Sequence, residues 1–233
     1  MPDHISRQFD AELESIRASV LKMGGLVERQ IKNAVTSLVN GDVALMSQVI
    51  EEDHRVNGME VSIDEACSHV IARRQPTAGD LRLIMTVVKT ITDLERIGDE
   101  AEKIARMAKL LSQKNSPDFA RYNEIKHASD ITIEMLSNAL DAFARLDVIS
   151  AAQVVRQDEL VDEKFRSIMR HLITYMMEDP RTISTALEIL FIAKAIERIG
   201  DHSKNISEYV IYMVKGRDVR HITVDEVERE VQQ

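Results

Sequence analysis

Two pairs of carboxylates in this sequence are set apart by their spacing. Glu95 and Asp99 lie four residues apart, as do Glu197 and Asp201, and each pair frames the same pentapeptide, Glu-Arg-Ile-Gly-Asp. Residues four apart on a helix stand one turn apart on one face, so each pair could reach a single cation. Asp158 and Asp162 share the spacing, and their counterparts 105 residues earlier are Asp53 and Asn57. Carboxylates from two neighbouring helices supply the oxygen donors that Mg²⁺, Mn²⁺ or iron prefer. Asn57 removes one charge from the first set, so the second set is expected to be the tighter for a hard cation.

Taken once, a Glu-x-x-x-Asp pair usually belongs to a solvated face, where Glu95 would pair with Lys89 or with groups near Arg96. Its recurrence at matching places is what argues for a site. His202, directly after Asp201, reads either as an added ligand or as a polar surface residue. His54, His69, His127 and His171 form neither a His-Glu-x-x-His motif nor the Glu-x-x-His repeats of a di-iron bundle. No nucleophile with its base, phosphate-binding loop or dinucleotide fingerprint is visible, so no catalytic residue is assigned. Arg73-Arg74 and Lys103, Arg106 and Lys109 read as solvated basic faces.

The elements that position these acids follow from apolar residues recurring at three- and four-residue steps. Helices are expected near 6–40, 42–74, 77–112, 118–145, 147–178 and 180–215. Asp42 offers an N-cap after Asn40-Gly41, Pro76 suits a first helical turn, and Asn115-Ser116-Pro117-Asp118 reads as a linker. The second half repeats the first. Asn33-Ala34, Asp42-Val43, Gln48-Val49, Asp53 and Val56 recur 105 residues later, from Asn138 to Val161. The pentapeptide recurs at 102 (95 to 197), which confines a three-residue difference to the connection between the second and third helices, near Asp179-Pro180. The expected fold is all-α, with two tandem, duplicated three-helix bundles at 1–115 and 118–215 and a polar C-terminal tail at 216–233. Leu94, Ile97, Ala101, Ile104 and Ala105 form the buried stripe of the third helix, and Glu95 and Asp99 flank it. Gly98 and Gly200 fall inside that stripe, where a missing side chain lets another helix approach.

Composition agrees with a bundle packed by aliphatic side chains: 233 residues with 8 Gly, 4 Pro, no Trp and 4% aromatics. A net charge of −9 argues against nucleic-acid binding, which needs a basic surface. The first residues lack the apolar core of a signal peptide, and no run of 18 apolar residues follows. A cytoplasmic location without membrane insertion is therefore expected. The single cysteine, Cys67, lies among the apolar positions Ile63, Ala66 and Val70 and reads as a buried thiol.

The stretches Leu94–Ile104 and Ala195–Ile206, together with Val56–Cys67, resemble the paired signatures of the PhoU family, regulators of bacterial phosphate uptake. The resemblance runs from about Phe9 to Val214. It implies a dimer of paired three-helix bundles that bind a divalent or transition metal ion (Mg, Mn, Fe or Zn) at acidic E/D-x-x-x-D motifs. Carried onto this chain, those positions are Glu95, Asp99, Glu197 and Asp201, with Asp158 and Asp162. Asp53 matches as well, whereas Asn57 departs from the acidic pattern. It further implies a negative regulator without enzymatic activity. Such an adaptor links the ATPase-driven phosphate ABC transporter to a histidine kinase and holds phosphate-starvation genes off when phosphate is plentiful. The residues alone leave two other readings open: a metal-dependent carboxylate-bundle enzyme, which would need inward Glu-x-x-His ligands, and a purely structural helical scaffold.

Overall fold

Six long helices follow the apolar periodicity: α1 (Arg7–Asn40), α2 (Val43–Arg74), α3 (Ala78–Gln113), α4 (Phe119–Arg145), α5 (Val148–Glu178) and α6 (Ile183–Lys215). A seventh, α7 (Val224–Gln232), follows them. This computed structural model describes residues 7–113 and 119–232, and no strand occurs among them. The linker expected at Asn115–Asp118 lies outside the described residues, as does the expected helix start at Ser6.

The repeat is visible in the corners. Each α1–α2 type junction ends with one residue in the left-handed region followed by an Asp N-cap: Gly41 (φ 67°) with Asp42, and Leu146 (φ 59°) with Asp147. Asp42 accepts from Leu45 N–H at 3.0 Å, and Asp147 from Ile149 and Ser150 N–H at 3.0 and 3.2 Å. Such caps are worth about 1 kcal/mol each. Glycine takes the left-handed conformation freely, whereas Leu146 is held there by packing on the core. The three-residue difference falls where the sequence places it. Gln75–Thr77 joins α2 to α3, while α5 passes through Asp179 and a short 3-10 turn, Pro180–Thr182, straight into α6.

α1, α2 and α3 pack on one another, as do α4, α5 and α6, and the halves join through α3 against α6 and α1 against α4. α2 and α5 are thereby left on the outer sides. The core runs through both bundles, with Val20, Val27, Ile31, Val87, Ile91 and Ile104 in the first and Ile125, Leu136, Phe143, Ile192, Ile199 and Val210 in the second. Cys67 is buried among them. α1 and α4 approach closely: a Cβ on Gly24 would lie 2.5 Å from Leu140 Cδ1. Polar groups also cross the seam, where Arg198 Nη1 meets Glu100 Oε1 at 2.7 Å.

The C-terminal segment is a correction to the expected tail. After Gly216 caps α6, Val219 turns inward and α7 docks on α5 with Val227 and Val231 buried. Its polar appearance in sequence comes from a short helix with a narrow apolar stripe; its charged residues hold it down. Arg156 of α5 reaches Asp225 at 2.9 Å and also Glu228, and Arg217 reaches Glu230 at 2.7 Å. The basic clusters are likewise paired: Arg74 with Glu12 at 2.7 Å, Lys103 with Glu100 at 3.2 Å, and Arg106 with Glu102 at 2.5 Å.

Candidate metal centre

The carboxylate pairs occupy two grooves, one between α2 and α3 and one between α5 and α6. In each, the glycine of the pentapeptide sets the crossing. A Cβ on Gly98 would lie 3.3 Å from Val56 Cγ1, 3.4 Å from Asp53 Oδ1 and 3.5 Å from Gln30 Oε1. A Cβ on Gly200 would lie 3.3 Å from Val161 Cγ1 and 3.6 Å from Asp158 Oδ1. The buried Asp of the middle helix is therefore brought onto the backbone of the third helix in both halves, beside the flanking acids. Glu95, Asp99, Asp162 and Glu197 are half-buried, Asp53 and Asp158 are buried, and Asp201 keeps an exposed edge. Asn57 lies outside on α2 and donates to Asp53 Oδ2 at 3.2 Å.

The cations of the first groove stand on its outer acids, Arg96 3.6 Å from Glu95 and Arg106 2.5 Å from Glu102, and among the described residues none forms an ion pair with the buried Asp53. Burial, then the charges of Glu102 and Asp99, raises Asp53 above its ordinary pKa. Burial and then Asp99 raise Glu95 against the pull of Arg96; burial raises Asp99, with Arg96 and Arg198 opposing and Glu102 and Glu100 adding to the rise. Beneath these acids, Asp53 Oδ1 and both amide atoms of Gln30 are buried without a hydrogen-bond partner among the described residues. A buried polar atom left unmatched costs about 1–3 kcal/mol, so this groove carries a deficit that an added cation or water would relieve.

The second groove has its own cations. Lys204 Nζ lies 2.9 Å from Asp158 Oδ2, Lys194 pairs with Glu197, and Arg166 reaches Asp162 at 3.3 Å. Lys194 also sits 5.4 Å over the ring of Phe165. Asp201 remains uncomfortable. Burial, then Glu197 and Asp158, pushes its pKa up to about 6. Further along α6, burial pushes Glu208 up to about 7.

The structure thus brings Asp53 to Glu95 and Asp99, and Asp158 to Glu197 and Asp201. Among the described residues, however, no three acidic, histidine or cysteine side chains converge closely enough to hold an ion as they stand. Capture would require carboxylates to swing inward, as half-buried side chains on a groove rim can. His202 belongs to neither expectation raised for it. It faces the other half, with Nδ1 2.6 Å from Asp93 Oδ1, which also accepts from Asn205 at 3.2 Å. Sequence reasoning missed Gln30, Glu102, Lys194 and Lys204. The repeat offset of 102 that equates Glu95 with Glu197 also sets Glu102 opposite Lys204, so the signal was present in the alignment of the halves.

Comparison with known proteins matches the PhoU domain twice, over residues 20–108 and 125–210. The chain is 52% identical to the phosphate-specific transport system accessory protein PhoU of Escherichia coli K12, covering 97% of this chain and 93% of that one. It is 50% identical to the PhoU homolog of Pseudomonas putida, covering 98% and 89%. The crystal structure of PhoU from Pseudomonas aeruginosa superposes with a TM-score of 0.86 at 49% identity, covering 90% of this chain and all of that one. The phosphate transport system regulatory protein PhoU from Streptococcus pneumoniae superposes at 0.84 with 26% identity, covering 91% and 99%.

Proposed function

This chain belongs to the PhoU family, and from that premise we propose that it is an accessory regulator of phosphate-specific transport acting as a non-enzymatic adaptor. It couples the ATPase subunit of a phosphate ABC transporter to a phosphate-sensing histidine kinase in the cytoplasm, works as a homodimer, and holds phosphate-starvation genes off when phosphate is plentiful. The observation that carries this reading is the match, over 97% of the chain, to a phosphate-specific transport accessory protein. No helix among the described residues is long and apolar enough to cross a membrane, which agrees with an adaptor that meets its partners at their surfaces. Deleting the gene should derepress phosphate-uptake genes in high phosphate, and re-expression should restore repression. Unchanged repression in the deletion strain would sink the adaptor reading. Affinity purification from cells grown in high and low phosphate would then identify the partners.

Within that role we propose a divalent cation for the first groove, where a buried Asp53 oxygen and the Gln30 amide have no hydrogen-bond partner among the described residues. Asp53, Glu95 and Asp99 are the residues that would hold it. A bound ion supplies positive charge there, offsetting the mutual repulsion of these carboxylates and tying α2 to α3. Binding only the ordered arrangement, it should raise the melting temperature of the protein by mass action. Glu95→Gln with Asp99→Asn keeps side-chain size while removing two charges. Calorimetry of this variant with Mn²⁺ should show the stabilisation lost; an undiminished response would return these acids to the status of a solvated face.

A further inference from the structure

The second bundle keeps three acids of the first, Asp158 for Asp53, Glu197 for Glu95 and Asp201 for Asp99, and departs at positions around them. Under the offsets of the repeat, Glu102 corresponds to Lys204, Thr92 to Lys194, Glu60 to Phe165, and the buried amide of Gln30 to Met135. In the first groove Glu102 raises the pKa of both Asp53 and Asp99, and Glu60 that of Glu95. In the second half the corresponding residues carry ammonium groups, a phenyl ring and a thioether, and Thr132 Cγ2 lies 3.6 Å from a Cβ on Gly200, as Gln30 Oε1 lies 3.5 Å from one on Gly98. Lys204 donates to Asp158 Oδ2 at 2.9 Å from one turn beyond Asp201, with two thirds of its side chain covered. Asp53, the counterpart of Asp158, has an amide on one oxygen and, among the described residues, no hydrogen-bond partner on the other.

We infer that Lys204 is the built-in cation of the second bundle, its ammonium occupying the place at the buried carboxylate that a metal ion would take in the first. This rests on the reading of the first groove as a cation site. It reverses the expectation that the more acidic second pair binds the tighter. Asp162 adds one carboxylate, but Lys204 pairs with the buried Asp158 itself and Lys194 with Glu197, whereas the arginines of the first groove pair with Glu95 and Glu102. A divalent ion entering the second groove would have to displace an ammonium already desolvated beside Asp158. In the first groove the arginines hold the outer acids, Arg96 on Glu95 and Arg106 on Glu102, while the buried Asp53 Oδ1 and the Gln30 amide have no hydrogen-bond partner among the described residues. The two halves have thus reached one electrostatic solution by different means. One is permanent and encoded in the chain; the other depends on what the surroundings supply.

The test compares wild type with Lys204→Gln, Lys204→Arg and Glu102→Lys by melting temperature, first in a chelator and then with Mn²⁺ added, and counts bound Mn²⁺ by mass spectrometry of the desalted protein. In chelator, Lys204→Gln should melt roughly 3–8 °C below wild type, because a buried carboxylate has lost its partner. Mn²⁺ should restore most of that loss and raise the bound metal by one ion per chain. Lys204→Arg should behave as wild type, showing that charge rather than side-chain shape is required. Glu102→Lys should melt above wild type in chelator and lose the Mn²⁺ response. A loss in Lys204→Gln that Mn²⁺ does not repair would make Lys204 an ordinary structural ion pair and overturn the inference, as would a Lys204→Gln protein that melts like wild type in chelator. If wild type shows no Mn²⁺ response while Lys204→Gln is rescued, the inference stands and the first-groove metal reading falls instead.

Discussion

The two bundles share a backbone plan and differ in how their buried charge is matched. Both place an Asp of the middle helix against the glycine of Glu-Arg-Ile-Gly-Asp, and both cap the middle helix with Asp after a left-handed residue. The first places its arginines on the outer acids Glu95 and Glu102, whereas the second sets Lys204 on the buried Asp158 and covers its outer helix with α7. The lesson is that duplication conserves what sets helix spacing more strictly than what fills the resulting groove. Spacing is fixed by steric contacts at a few ångströms. Charge in a half-open groove can be balanced by a lysine, an ion or a proton, and each of these leaves the crossing unchanged.

The difference with the largest expected effect is α7. Replacing Val227 and Val231 by Asp removes two buried valines from the face of α5, each worth roughly 1.5 kcal/mol. The melting temperature should fall by about 6–12 °C for a chain of this size. The variant should keep α1–α6, since only the second bundle is covered by this helix. Equal melting of variant and wild type would show that α7 adds nothing and that the halves are alike after all.

Next comes the shared crossing. Gly98→Leu and Gly200→Leu each drive a side chain into a Val and an Asp of the middle helix, and overpacking of this kind costs about 1–3 kcal/mol. The two should lose similar stability in chelator. Only Gly98→Leu should also abolish the Mn²⁺ response, because it alone displaces Asp53 and Gln30. A large difference in chelator would mean that the glycines play unequal roles and that the repeat is looser than its geometry suggests.

The smallest effect is on pH dependence. Asp201 and Glu208, raised to about 6 and about 7 in the folded chain from ordinary values of 3.8 and 4.5, hold their protons more tightly folded than unfolded. Their contribution to stability is therefore full below about pH 4 and is lost as pH rises through about 6 to 7. In chelator, melting temperature should decline between pH 5 and pH 8. Asp201→Asn and Glu208→Gln should each flatten that decline. A decline of the same steepness in both variants would place the responsible protons in the first groove, where Asp53, Glu95 and Asp99 are also raised.

Much of this molecule was legible in one dimension. Helix-period apolar residues, Asp42 and Asp147 as caps, and the matched offsets of 105 and 102 determined six helices in two like bundles. They also determined which acids flank the buried stripe, because these features depend on neighbours three or four residues away. The fate of residues 216–233 did not follow. A nine-residue helix with two inward valines looks like a polar tail until α5 offers a surface for it, and no local pattern contains that surface. His202 appeared to belong with Asp201 by adjacency, yet adjacent residues on a helix point about 100° apart, and the packing of α3 on α6 turned it toward Asp93. The balance of the carboxylates was decided in the same way. Charge counted along the chain favoured the second pair. Only tertiary structure set Lys204 on Asp158 and left Asp53 Oδ1 without a hydrogen-bond partner among the described residues, because electrostatic energy depends on distances and burial across helices that sequence separation does not encode.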